Sequence, residues 1–86
     1  MPVVSEFAGI EIYFYFNDHV PPHFHAKCNG AEALIGIEDN CVLKGSLPSG
    51  KLKLVLAWSE LHRDELKATW EMVQNLHSPG RIKPLS

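Results

Sequence analysis

Three histidines fall inside seven residues of this chain, in the stretch NDHVPPHFHAKCNG that runs from Asn17 to Gly30. His23 and His25 are one residue apart, so on an extended strand both imidazoles leave the same side, close enough to chelate one ion. His19 or Asp18 would add a third ligand, and this donor set suits a divalent metal. Two strand imidazoles alone leave half of a tetrahedral shell to water. Zn²⁺ or Ni²⁺ is therefore expected to bind weakly unless a third ligand closes on His23 and His25. The same residues could do acid–base chemistry, because histidine titrates near neutrality and tyrosine can donate or orient. One imidazole as base and another as acid could cleave RNA without metal, with Lys27 or Arg63 nearby. The candidate catalytic set is Tyr15, His19, His23, His25 and Arg63, and the candidate metal set is His19, His23 and His25. A third reading needs no chemistry: a Tyr/His face can dock a partner protein.

The elements that position these residues follow from the pattern of the chain. Ile10, Ile12, Phe14 and Phe16 alternate with Glu11, Tyr13 and Tyr15, which predicts a strand over 10–16 with one buried face. Asn17 to Pro22 breaks it, and Pro21 and Pro22 stiffen the loop. Asn29-Gly30 tolerates the positive φ angles of a tight type I′ turn, which predicts a two-residue hairpin. In that register His23 faces Gly36, Phe24 faces Ile35, His25 faces Leu34 and Lys27 faces Glu32. Phe24, Ala26, Cys28, Ala33 and Ile35 then share the core face. His23, His25 and Lys27 share the other face with Tyr13 and Tyr15 of the neighbouring strand. The expectation is a solvent-accessible cluster of Tyr15, His19, His23 and His25.

Asp39-Asn40 leads to a fourth strand over 41–44. From Leu47 the period becomes helical, with apolar residues at 52, 55, 56, 58 and 61 and again at 66, 70, 73 and 76. Pro48 suits a first turn, with Ser46 or Ser49 as a cap. An unbroken helix over 48–76 would be about 43 Å long at 1.5 Å per residue. A break is therefore expected near LHRDEL, with Asp64 and Glu65 opening a second helix. Ser78-Pro79-Gly80 stops it, and RIKPL suggests a short edge strand. The predicted architecture is α+β: an antiparallel four-stranded β-meander with C-terminal helices packed on one face.

The 86 residues make a single domain with one modest core. A net charge of −2 gives no global basic field for nucleic acid, so any RNA contact is local. The N-terminus has neither a basic segment nor a small-residue cleavage site, and no apolar run reaches the roughly 20 residues of a membrane span. Two cysteines do not make a disulfide framework. These features point to a small cytoplasmic protein with no membrane partner. Trp58, Trp70 and Cys28 read as core, and Cys41 as an exposed residue with nothing to activate it. His62 reads as a capped or partly buried structural histidine.

PPHFHA at 21–26, GIED at 36–39, LVLAW at 54–58, LHRDEL at 61–66, Trp70 and the terminal IKPL together carry a resemblance. Over nearly its whole length the chain is similar to the bacterial family called domain of unknown function 4160. The resemblance implies a small prokaryotic protein. Some members lie beside genes for a second small family, domain of unknown function 2442, in an arrangement that looks like a toxin–antitoxin pair. The implied role is the toxin half, acting on RNA or translation, with a small antitoxin-like protein as partner. The resemblance brings no catalytic residue with it. The alternatives remain a non-catalytic binding module and a weak histidine-based metal-binding protein.

Overall fold

Two of the four connections within the sheet are two-residue turns. The computed structural model describes residues 1–85 and has five strands: β1 (Val3–Phe7), β2 (Ile10–Tyr13), β3 (His23–Cys28), β4 (Ala31–Gly36) and β5 (Cys41–Gly45). Two helices follow, α1 (Ser49–Leu61) and α2 (Arg63–Gln74). The sheet is an antiparallel meander in the order β1-β2-β3-β4-β5. Asn29 and Gly30 have φ of 50° and 85°, as a type I′ turn requires. The β3–β4 register is the expected one, from His23 opposite Gly36 to Cys28 opposite Ala31.

The strand count differs from the expected four, because β1 is an additional strand. Its signal is hidden twice. A bulge between Val3 and Ser5 breaks the alternation, so that Val4 and Ser5 are both buried. The turn into β2 is Ala8-Gly9, with Ala8 at φ 52°, a residue that seldom marks such a turn. The expected strand over 10–16 ends early, at Tyr13. Phe14 still packs inward near Phe24, and its N–H donates to the Pro2 carbonyl. Beyond it the chain leaves the sheet, so Tyr15 and Phe16 are exposed.

One face of the sheet forms the core. Val4, Ile10, Ile12, Phe24, Ala26, Ala33 and Ile35 pack there against Val55 and Trp58 of α1 and Leu66, Trp70 and Val73 of α2. The helices break at His62, where the sequence placed the break, and Asp64 and Glu65 lie in the first turn of α2. Pro48 stands at the N-cap of α1, which has no side-chain cap. Residues 81–85 form no strand, contrary to expectation. They lie along β1 instead: the Ile82 N–H donates to the Val4 carbonyl at 2.7 Å, and the Trp58 indole donates to the Lys83 carbonyl at 2.9 Å. At the opposite edge, β5 pairs only with β4 among the described residues, and all five of its residues are exposed.

Gly45 closes β5 with φ of 78°, next to a register shift between Leu34 and Ile35. A Cβ there would run into the Glu32 carbonyl oxygen. That oxygen already accepts the Ser46 N–H. Gly45→Ala is therefore expected to cost at least about 1–3 kcal/mol from backbone strain alone. A urea titration checks this: the midpoint should fall while the slope stays constant.

Candidate metal centre

The outer face of the sheet carries the histidines, as the hairpin register requires. His25 opposes Tyr13 of β2, and the two rings stack with centroids 5.0 Å apart. Tyr15 meets His25 edge-on at 4.6 Å, and His23 meets His25 at 5.2 Å. The expected open surface is not found, however. Tyr13, His23 and His25 are only 2%, 5% and 6% exposed. The loop after β2 folds back over them and brings Asp18 onto the histidines.

That loop is held by α2. The last carbonyls of a helix lack internal partners. Here the Val73 carbonyl accepts the Asn17 N–H at 3.1 Å. Gln74 donates its side-chain N–H to the Asp18 carbonyl at 2.8 Å. Asn17 takes φ of 52°, a conformation asparagine tolerates better than most residues. Trp70 lies 5.3 Å from the His23 ring and closes that end of the site.

The resulting geometry is convergent. Asp18 Oδ2 lies 3.0 Å from His23 Nε2 and 3.1 Å from His25 Nε2. The outward nitrogens also face oxygens. His23 Nδ1 donates to the Pro21 carbonyl at 2.7 Å, and His25 Nδ1 lies 3.6 Å from Glu32 Oε2. The potential ligand atoms of Asp18, His23 and His25 all lie within 4.8 Å of one another. Ligand atoms about 2.1 Å from a common ion sit roughly 3.0–3.4 Å apart, so the two short separations suit a shared cation. Burial works to raise the Asp18 carboxyl. The hydrogen bond from His25, the His19 amide and the positive charge of the histidines outweigh it and hold the group below the usual carboxylate value. Burial pushes the His25 imidazole below its usual value, against the opposing hydrogen bond to Asp18.

The expected site residues separate in space. His23 and His25 come together, with Tyr15 against His25. His19 is exposed and stands outside the group of ligand atoms; its backbone N–H donates to Asp18 Oδ1 at 2.8 Å. Asp18, the other third ligand considered from the sequence, takes that place. Arg63 is held by Glu60 at 2.7 Å at the helix junction and shares no hydrogen bond with the histidines among the described residues. His62 is partly buried, bonded to Glu65 at 2.6 Å and packed near Trp58. Glu32 and Gln74 were not anticipated at the site. Glu32 was legible, because the register sets it diagonal to His25 on the same face. Gln74 carried no such signal, since its place depends on how α2 docks.

The fold and site define a small α+β chain: a five-stranded antiparallel meander with two C-terminal helices and an Asp–His–His cluster on the outer sheet face. The chain belongs to the family described as Domain of unknown function (DUF4160), whose profile matches residues 9–71. The matched span includes Asp18, His23 and His25. No curated protein and no solved structure matches the chain. Among the described residues, no helix is long and apolar enough to cross a membrane.

Proposed function

We propose that Asp18, His23 and His25 hold one first-row divalent cation, and that this centre is the chemically active part of the protein. One observation carries the reading: both imidazoles turn Nε2 inward to the same carboxylate oxygen, and His23 gives its outward Nδ1 to the Pro21 carbonyl. With Nδ1–H given to the Pro21 carbonyl, the tautomer left to a neutral His23 has its Nε2 lone pair free on the Asp18 side, where it could serve as a ligand. An outer oxygen on the far nitrogen is also how metal-bound histidines are commonly oriented. Two histidines and one carboxylate suit Zn²⁺ or Fe²⁺ and leave coordination positions for water and substrate. The other residues then have defined tasks. Gln74 and Val73 fix the Asp18 loop, the Pro21 carbonyl orients the His23 ring, the Tyr13 stack orients the His25 ring, and Trp70 and Tyr13 exclude bulk water.

Within the toxin–antitoxin arrangement that the family resemblance implies, this centre would act on RNA, and a small antitoxin-like protein would be the partner. The test has two arms. In the first, chelator-stripped protein is titrated with Zn²⁺ or Co²⁺ by calorimetry and tryptophan fluorescence, since Trp70 lies 5.3 Å from His23. One ion per chain, lost in His23→Ala, is expected; a flat titration sinks the metal centre. In the second, the protein is expressed in a bacterial host. Growth inhibition relieved by folded His23→Ala and His25→Ala variants is expected. Inhibition unchanged in both variants sinks the link between toxicity and this site.

A further inference from the structure

Beside the cluster, on the Glu32 side of His25, lies a pocket that the metal reading does not use. It has a volume of about 310 Å³ and is lined by Tyr15, His25, Glu32, Leu34, Lys44 and Gly45. That is the lower end of the size range for small-molecule sites, on the order of 300–1,000 Å³. Three features set its chemistry. Lys44 stands at the pocket with no ion pair among the described residues, while the other charged lining residue, Glu32, already leans on His25. Tyr15 is 42% exposed, a large aromatic ring left partly uncovered although it touches both Tyr13 and His25. His25 Nδ1 is fully buried, has no hydrogen-bond partner among the described residues, and lies on the Glu32 side of the ring. A buried polar atom without a partner, on a residue 6% exposed, calls for an explanation.

We infer that this pocket is a nucleotide subsite: Lys44 takes the phosphate, Tyr15 stacks the base, and Glu32 accepts a base amino group. The inference rests on the metal-centre reading for its role, because the imidazole that lines this pocket, His25, also belongs to the Asp18 cluster. Each contact matches known recognition chemistry. Lysine binds phosphate as a point charge. Aromatic rings stack any base. Glutamate accepts from the exocyclic amine of cytosine. The bulge at Leu34/Ile35 and the positive φ of Gly45 belong to the same end of β5, and bulges of this kind re-aim side chains beside sites. The net charge of −2 supplies no long-range attraction for a polyanion, so binding depends on these local contacts.

The experiment uses zinc-loaded protein and three probes: cytidine 5′-monophosphate, a single-stranded oligocytidylate, and inorganic phosphate. Metal content is measured on the same samples. Saturable binding of the nucleotide is expected, tighter than that of phosphate alone. Tyr15→Ala should weaken it on the order of five- to hundredfold, the range seen for loss of one base stack. Tyr15→Phe should keep it, Lys44→Glu should abolish it, and the exposed Lys53→Ala should change nothing. Tighter binding of the oligomer assigns the subsite to single-stranded RNA; equal binding assigns it to free nucleotides. Metal-bearing protein that binds neither nucleotide nor oligomer overturns the subsite and leaves the metal centre standing. Equal affinity in wild type, Tyr15→Ala and Lys44→Glu also overturns it. Nucleotide binding that Tyr15→Ala weakens, in protein that takes up no metal when loaded with zinc, supports the subsite and sinks the metal reading.

Discussion

Asp18→Ala is expected to abolish cation binding at the proposed centre while the protein stays folded. Asp18 is the one carboxylate that meets both imidazoles, so its loss leaves two histidines on one strand and a mostly aqueous shell. Outer partners of metal-bound histidines are commonly worth 10–100-fold in affinity, so loss of a direct ligand should exceed about 100-fold. The backbone contacts of the loop survive the substitution, because Gln74 binds the Asp18 carbonyl and Val73 binds the Asn17 amide. His19→Ala is the informative comparison. His19 has the more familiar ligand chemistry, yet it lies outside the group, so its removal should leave affinity unchanged. Calorimetric titration of the two variants checks the prediction. Loss of binding in His19→Ala with Asp18→Ala intact would reverse the assignment of the third ligand.

Trp58→Ala is expected to be the most damaging core substitution. Trp58 is fully buried, packs tilted against Phe7 at 5.4 Å and edge-on against Phe24 at 5.8 Å, and holds the C-terminal segment through its indole N–H. Truncating a buried aromatic ring costs about 3–5 kcal/mol. The whole stability of a chain this size is only about 4–13 kcal/mol, at roughly 0.05–0.15 kcal/mol per residue. The variant should therefore lose much of its stability. Trp58→Phe keeps most of the ring volume but leaves the Lys83 carbonyl without its indole partner. That change should cost about 0.5–1.5 kcal/mol for the hydrogen bond, plus a smaller packing loss. Urea titrations of both variants measure the sum. Hydrogen exchange at the Ile82 amide isolates the segment, because that N–H is bonded to Val4 and should exchange faster in either variant.

These two cases show where the sequence is informative. Local chemistry could be read directly. Asn29-Gly30 specified a turn, the turn specified a register, and the register put His23, His25, Tyr13 and Glu32 on one face. The break between the helices could also be read, because an unbroken helix of about 43 Å is long for a domain of 86 residues. What could not be read was how separate pieces meet. β1 was hidden by a bulge and an unusual turn. The burial of the histidines depends on a loop that turns back over the sheet because Asn17 and Asp18 bond the end of α2. Period two says which face His23 and His25 occupy; it does not say what will cover that face. The choice of Asp18 over His19 has the same origin. Both are in reach of His23 along the chain, and only the docking of the loop on Val73 and Gln74 decides which one turns inward.

The two edges of the sheet are unequal, and this sets a limit on how the molecule can grow. A sheet with two bare edges can add strands at both ends and propagate into a fibre. Here the segment around Ile82 lies along β1 and takes the Val4 carbonyl, while β5 presents its outer edge unpaired. Such a sheet has a valence of one: two copies joined β5 to β5 would leave no bare edge for a third.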